Sequence, residues 1–251
     1  MTQVTRTVKD LRDTLTKAAK AATATAAATD GRSTRWSGHR EARRAELVEA
    51  AVAAIDRLGP TAGIEDIAGA AGVSKPVLYR YFTDKADLHT AVGAYGAQEL
   101  LGRLVPAFDG ERPLRERVEV GCEAYLATIE EHAGVFMLLV QNRVTGDVDP
   151  LADGKAAIAA ALARVMGDTL RGFGVDAGGA EPWAHGLVGL GLSTGEWWLT
   201  RRTMTRSAVA TYLSSFVWHA LEGVCQSYGV TLAGDGLHLV EPPATAAEEG
   251  R

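Results

Sequence analysis

The chain has 251 residues, 47% of them hydrophobic and 23% charged, which is enough to bury the core of one or two globular domains. Its two cysteines form neither a disulfide framework nor a metal-ligand spacing, so a disulfide-stapled secreted domain is excluded and no metal or cofactor is expected. No apolar run reaches the roughly 18 residues of a membrane span, and no secretion signal is evident, so we expect a cytoplasmic protein with no membrane partner.

The formal charge of −5 is distributed unevenly along the chain. Residues 1–45 carry ten basic and four acidic side chains, a net charge of +6, which leaves −11 on the remainder. A molecule of this kind presents its basic end to phosphates. Residues 1–35 are rich in Ala, Thr and Lys and are predicted to be a flexible basic tail. The alternative is an arm that adds electrostatic affinity for DNA.

The first predicted helix runs from His39 to Leu58, where apolar residues form one helical stripe and a Gly-Pro pair ends it. Three arginines crowd its first turns: Arg40, Arg43 and Arg44. Cations are unfavourable at a helix N-terminus, so an external anion would relieve them. The alternative is a solvated helix face.

The next segment has the pattern of a helix-turn-helix. A helix is predicted over residues 64–70, Gly72 takes the turn, and a recognition helix follows from Lys75 to Phe82. Ser74 lies where it can cap that helix, and Pro76 lies in its first turn, where a missing N–H has no consequence. The outward side chains are cationic and aromatic, which is typical of a DNA-binding surface.

The remainder of the chain is predicted to be helical. A long helix begins near Lys85, after candidate caps at Thr83 and Asp84, and runs towards Val105. Beyond it, Ala/Leu/Val segments separated by Gly, Asp and Pro predict helices over 113–131, 134–143, 150–173, 182–203 and 206–229. No strand-period alternation persists in this half, so the fold class is all-α.

Residues 39–95 resemble the DNA-binding domain of the tetracycline-repressor (TetR) family of bacterial regulators. The resemblance is carried by Ile67-Ala68, Ala71-Gly72-Val73-Ser74, Leu78-Tyr79-Arg80-Tyr81-Phe82 and Lys85. One departure is the Ala62-Gly63 pair before the second helix, where the family usually has Thr or Ser. Capping then falls to Thr61 or Gly63, and the turn lacks the hydroxyl that would touch a phosphate.

The resemblance implies roles for individual residues. Base-edge contacts are implied for Lys75, Pro76 and Val77, and phosphate contacts for Tyr79, Tyr81 and Lys85, whereas Arg80 fits either role. For Tyr79 the alternative is packing on the first helix. The predicted DNA-binding set is Arg40, Arg44, Ser74, Lys75, Pro76, Val77, Tyr79, Arg80, Tyr81 and Lys85.

The resemblance further implies a helical ligand-binding and dimerisation domain after the helix-turn-helix domain. Its last two long helices would form a four-helix bundle across a homodimer, placing two recognition helices in successive major grooves of a palindromic operator in double-stranded DNA. The predicted dimer residues are Gly191, Gly195, Val209, Leu213, Phe216, Val217, Ala220 and Val224. The alternative is that this stripe belongs to the core of one protomer.

A ligand pocket is expected among the middle helices. The candidate lining residues, which are otherwise ordinary core residues, are Tyr125, Ile129, Phe136, Met137, Val140, Arg143, Trp183, Leu187 and Trp197. Arg143 would meet an anionic head group or cap its own helix. The apolar setting predicts a hydrophobic small-molecule effector, such as a fatty acid, an acyl-CoA or a multidrug-type compound.

The resulting domain assignment is a tail over 1–35, a helix-turn-helix DNA-binding domain over 36–90, a ligand-binding and dimerisation domain over 91–232, and a disordered tail over 233–251. The function indicated is a transcriptional repressor released from its operator by the effector. The alternatives are an activator and a ligand-independent regulator. An enzyme is not expected, because the sequence has no His-x-x-x-His, Cys-x-x-Cys, phosphate-loop or Gly-x-Ser-x-Gly pattern. A DNA-binding regulator would lie in the cytoplasm, associated with the nucleoid.

Overall fold

The computed structural model describes residues 31–108, 112–145, 149–172, 174, 176–233 and 236–239, with side chains described for 38–107, 112–141, 149–172, 174 and 176–231. These residues form nine helices and one two-stranded hairpin, which confirms the all-α class. The helices are α1 Gly31–Leu58, α2 Ile64–Ala70, α3 Lys75–Leu78, α4 Lys85–Phe108, α5 Leu114–Glu131, α6 Ala133–Thr145, α7 Ala152–Gly172, α8 Ala180–Arg201 and α9 Arg206–Ser227. The strands are β1 Val230–Ala233 and β2 Gly236–Leu239. No described helix is long and apolar enough to cross a membrane.

Helix α1 begins earlier than the sequence predicted. It starts at Gly31 instead of His39, so the assignment of residues 31–35 to a flexible tail is wrong. The segment contains no proline, and adding a turn to an existing helix requires no new nucleation. The other thirty residues of the predicted tail lie outside the described residues. The helix ends as predicted, because Gly59 adopts a φ of +87° and its N–H reaches back to the Ile55 carbonyl at 2.8 Å.

The helix-turn-helix has its expected turn and a shorter recognition helix. Gly72 takes the turn with a φ of +64°. Gly63 is the N-cap of α2, where its N–H donates to the Asp66 carboxylate at 2.9 Å. Helix α3 ends at Leu78 instead of Phe82. Beyond Leu78, the N–H groups of Arg80 and Tyr81 bond to carbonyls three residues earlier, so the α-helical pattern does not continue. Ser74 is the N-cap of α3, but its hydroxyl makes no capping bond, so that detail of the prediction is wrong.

One hydrophobic core unites the DNA-binding helices with a helix from the second half of the chain. Side chains of α1 and α2 pack with Phe82 and Leu88 in this core. The same cluster contains Val135, Leu138 and Leu139 of α6. Helix α6 therefore completes the core of the first four helices, across the predicted boundary at residues 90–91.

The hairpin corrects the predicted disordered tail. Strands β1 and β2 pair antiparallel, with Val230 opposite Leu239 and Ala233 opposite Gly236, so residues 236–239 are structured. Val230 is fully buried against Val118 and Trp218, which anchors the hairpin to the helical domain. The sequence Gly-Asp-Gly between apolar residues in alternate positions is the signal that indicates this hairpin. Residues 240–251 lie outside the described residues.

Candidate nucleic-acid interface, cavity and dimer face

The predicted recognition surface lies on the outside of the molecule. Lys75, Pro76 and Arg80 are exposed, as is Tyr79, which leaves 39% of its surface free. Ser74 and Lys85 are exposed beside them. Part of the Tyr79 side chain is therefore accessible to a partner. Val77 and Tyr81 are half-buried, and Tyr81 packs against the core cluster while keeping part of its surface free.

Among the residues that the structure describes, Lys75 has one partner, and the interaction is weak. Its Nζ lies 3.5 Å from Glu65 Oε1, and both side chains are exposed. Exposed ion pairs contribute about 0–1 kcal/mol, which phosphate or base contacts easily replace. The ammonium group therefore remains available to a DNA groove.

The two arginines predicted to bind phosphate have different environments. Arg40 is exposed and donates from Nη2 to the Arg80 carbonyl at 3.2 Å. It therefore lies beside residues 75–82, which we call the recognition segment. Arg44 instead donates to Asp87 Oδ1 at 2.8 Å, and its guanidinium lies 4.6 Å from the centre of the Phe82 ring. Arg44 therefore has an internal ion-pair partner, and the phosphate contact expected of it stays a prediction.

Asp87 ties the start of α4 to the recognition segment. Its Oδ2 accepts the Thr83 N–H at 2.9 Å, while its Oδ1 accepts from Arg44 of α1. Its own N–H donates to Asp84 Oδ1 at 2.8 Å, which is the helix cap predicted for Asp84. Hydrogen bonds at Asp87 therefore link the start of α4 to the end of the recognition segment and to α1.

A cavity of about 330 Å³ lies among α4, α5, α6, α7, α8 and α9. This volume is at the lower end of the range of small-molecule sites. Five of the nine predicted lining residues are in its wall: Tyr125, Ile129, Phe136, Trp183 and Leu187.

The other four predicted lining residues lie elsewhere. Val140 is buried and Met137 half-buried, but neither lines the cavity. Trp197 is 44% exposed on the outer surface. The side chain of Arg143 lies outside the described residues. The helical period places a residue on a face, but it does not say which neighbouring helix that face meets.

The wall contains several polar groups, and these are bonded within the protein. Tyr125 Oη donates to the Gly191 carbonyl at 2.6 Å, and Thr128 Oγ1 donates to the Ala124 carbonyl at 2.8 Å. Lys155 pairs with Asp149, and His132 Nδ1 lies 2.7 Å from Asp56 Oδ2. The rest of the wall is almost entirely aliphatic.

Both cysteines also line the cavity, and their thiols stay protonated. Burial, with a smaller contribution from the charge of Glu119, raises the pKa of Cys122 to about 12. Burial likewise raises the pKa of Cys225. The pKa of the Tyr125 phenol is raised mainly by burial. These three groups therefore add no charge to the wall at neutral pH.

The predicted dimer stripe packs largely inside the protomer. Val209, Leu213 and Gly195 are buried, and Leu213, Val217, Val224 and Gly191 line the cavity. The interface assignment is corrected for Gly195, Val209 and Leu213, because they are buried within the protomer. Gly191, Val217 and Val224 are half-buried and face the cavity. Phe216 and Ala220 are exposed, as an interface requires.

The outer faces of α8 and α9 carry an unusual set of exposed aromatic residues. Tyr212 is 66% exposed and Phe216 63% exposed, and they lie one turn apart on α9. Gly186 and Gly189 on α8 and Gly223 on α9 border open space, so another helix can approach closely there. We call these five residues and Trp197 the outer face.

Known proteins share both halves of this architecture. The family described as bacterial regulatory proteins, tetR family, matches residues 47–92, and the tetracyclin repressor-like C-terminal domain matches residues 103–231. The uncharacterized HTH-type transcriptional regulator Rv0472c of Mycobacterium tuberculosis is 35% identical over 207 residues, covering 80% of this chain and 86% of the relative.

Two further proteins carry more specific names. The HTH-type transcriptional activator FasR of Mycolicibacterium smegmatis is 30% identical, covering 74% of this chain and 85% of its own. The crystal structure of FadR from Bacillus subtilis in complex with stearoyl-CoA has a TM-score of 0.55 and 14% identity, covering 68% of this chain and 96% of FadR. From the domain matches and the curated relatives together, the chain belongs to the TetR family and is a DNA-binding transcriptional regulator.

Proposed function

We propose that the chain is a homodimeric regulator whose affinity for a palindromic operator is changed by a hydrophobic small molecule bound in the cavity. The observation that carries this proposal is an apolar cavity of about 330 Å³ whose α6 wall also belongs to the core of the DNA-binding helices. A ligand there acts by binding one dimer shape better than another. The DNA partner places the protein in the cytoplasm, with the nucleoid.

The effector class that fits the wall is an aliphatic chain, as in a fatty acid or an acyl-CoA. Most wall atoms are carbon, and the wall hydroxyls of Tyr125, Thr128 and Thr169 already donate to backbone carbonyls. A multidrug-type compound with several polar groups would leave those groups unpaired, which disfavours its binding. The stearoyl-CoA complex of FadR shows that a protein of this fold accommodates an acyl ligand.

The direction of control has two candidates. Release of a repressor by the effector is the first, since movement of α4 changes the position of the recognition segment through Asp87. Activation is the second, and it is supported by the similarity to FasR, which is named a transcriptional activator and is 30% identical to this chain. Transcription from the operator promoter with purified polymerase, with and without the effector, distinguishes them.

Filling the cavity tests the effector site. Leu162 of α7 lines the cavity, so Leu162→Trp is expected to weaken binding of stearic acid at least tenfold while leaving operator affinity without ligand within about twofold. Isothermal titration measures the first quantity and fluorescence anisotropy the second. The matched control is Ala160→Trp on the exposed side of the same helix, which should leave both unchanged. Equal stearic acid binding by both variants would contradict the cavity assignment.

A charge on the outer face tests the homodimer. Phe216→Glu is expected to shift the protein from dimer to monomer at micromolar concentration, because association through the outer face would then bury a carboxylate in place of an exposed aromatic ring. Analytical ultracentrifugation measures the change, and operator affinity should fall with it. Ala157→Glu on the exposed side of α7 serves as the control. A Phe216→Glu protein that remains dimeric would show that this face is not the interface.

A further inference from the structure

Helix α6 is the partition between the cavity and the DNA-binding helices. Val135 and Leu139 both line the cavity and belong to the core cluster built around α1. Phe136, between them in sequence, lines the cavity as well. A change of cavity volume therefore acts on side chains that also contact the first helix.

The start of α6 is held to α1 by polar contacts at one point. His132, the residue before α6, places Nδ1 2.7 Å from Asp56 Oδ2 of α1. The other carboxylate oxygen of Asp56 accepts the Val135 N–H at 3.3 Å. At Gly134 the backbones approach so closely that an added Cβ would lie 2.4 Å from the Ile55 carbonyl oxygen. The two helices cannot slide at this point without breaking the bonds to Asp56.

The imidazole of His132 faces two environments. It lines the cavity, and its ring packs edge-on against Tyr95 of α4 with the ring centres 6.4 Å apart. Nδ1 is engaged by Asp56, and within the described part of the chain Nε2 has no hydrogen-bond partner. A histidine bonded through one nitrogen retains a second nitrogen for a ligand.

We propose that His132 is the positioning residue that transmits occupancy of the cavity to the DNA-binding domain. An acyl ligand that contacts this ring, through its head group at Nε2 or through chain volume, shifts the ring and weakens its hold on Asp56. Helix α1 is then freed to move relative to α6. This inference rests on the proposed function, because it presupposes an effector in the cavity. Coupling between two sites typically changes affinity by about 5–150-fold.

The test measures three quantities separately for each protein: stearoyl-CoA and stearic acid binding by titration, affinity for an operator duplex selected by the wild type, and the ratio of operator affinities with and without saturating ligand. The variants are His132→Leu, which keeps an apolar wall, and Asp56→Asn, which keeps the shape of the partner. The control is Glu131→Gln, because Glu131 neighbours His132 but pairs with Arg103 of α4 at 2.6 Å and lies outside the cavity wall.

We expect wild type and Glu131→Gln to show the same ratio, and both His132→Leu and Asp56→Asn to show a ratio under twofold. Asp56→Asn should retain each separate binding, whereas His132→Leu is compared at saturating ligand because it also changes the cavity wall. If His132→Leu fails to fold, Asp56→Asn carries the test. The ring ¹⁵N resonances of His132 in the wild type should also shift on adding stearic acid, which a purely structural role does not predict.

Two other outcomes overturn the inference, and they differ in what else they overturn. A wild-type ratio retained in Asp56→Asn, or in a folded His132→Leu, refutes the role of His132 and leaves the proposed function intact. A wild type that binds the operator but shows no change with either acyl ligand refutes the acyl effector, and the inference with it.

Discussion

Replacing both Lys75 and Tyr79 with alanine is expected to lower affinity for the selected operator duplex about 100-fold, which corresponds to about 2.8 kcal/mol. Both side chains are exposed on the recognition segment, and the only described partner of Lys75 is the exposed Glu65. A lysine contact to a guanine edge contributes about 1–3 kcal/mol, and a phenol bond to a phosphate adds to it. Fluorescence anisotropy at fixed salt measures the loss.

The matched control for this prediction is Glu65→Gln, which removes the partner of Lys75 and leaves the lysine in place. It should bind the operator at least as tightly as the wild type, because a negative charge near the phosphates is removed. The double variant should also reduce the slope of log affinity against log salt by about one, because it removes one cation, whereas the neutral Tyr79 releases no counterion. If the double variant binds the operator as tightly as the wild type does, the recognition surface has been placed wrongly.

Acidification is expected to destabilise the protein through His89, by about 3 kcal/mol between pH 6.5 and pH 4. His89 is 4% exposed, and its Nε2 has no hydrogen-bond partner in the described part of the chain. Burial, aided by the charge of Lys85, lowers its pKa from 6.5 to about 4. In this interval the unfolded chain binds a proton that the folded chain does not, so the free energy of unfolding falls as the pH falls.

Urea denaturation at half-unit steps from pH 4 to pH 7.5 measures this dependence. His89→Leu removes the group that titrates and should flatten the curve over that interval, whereas His39→Gln, an exposed histidine on α1, should leave it unchanged. Parallel curves for His89→Leu and the wild type would assign the acid sensitivity to the carboxylates instead.

Local features of the fold could be predicted from the sequence because they are determined locally. Helix ends marked by Gly59, Gly72 and Asp84 lie where expected, since a positive φ or a capping carboxylate acts within one turn. The exposed side of the recognition segment was predictable for the same reason. The early start of α1 was not predicted because residues 31–38 carry no long periodic pattern, and the hairpin was not predicted because its strands are only four residues each, although the Gly-Asp-Gly sequence between them indicates it.

Features that depend on distant contacts could not be predicted. The partner of Arg44 is Asp87, 43 residues away, and no local pattern shows that this cation is neutralised. The apolar stripe of α9 identifies a buried face but not the helix that covers it, so the sequence could not separate a cavity wall from an interface between protomers. The exposed pair Tyr212 and Phe216 interrupts a polar surface. Such exposed aromatic residues indicate an interaction surface, but the longer apolar stripe on the same helix was the more prominent pattern.

The core shared with α6 has a consequence for how the molecule melts. A fragment ending after α4 would expose the apolar surface that Val135, Leu138 and Leu139 cover, so the DNA-binding helices lack a complete interior by themselves. Both halves of the chain then unfold in one transition rather than two. Any ligand that binds the cavity of the native chain thereby raises the melting temperature of helices that it never touches.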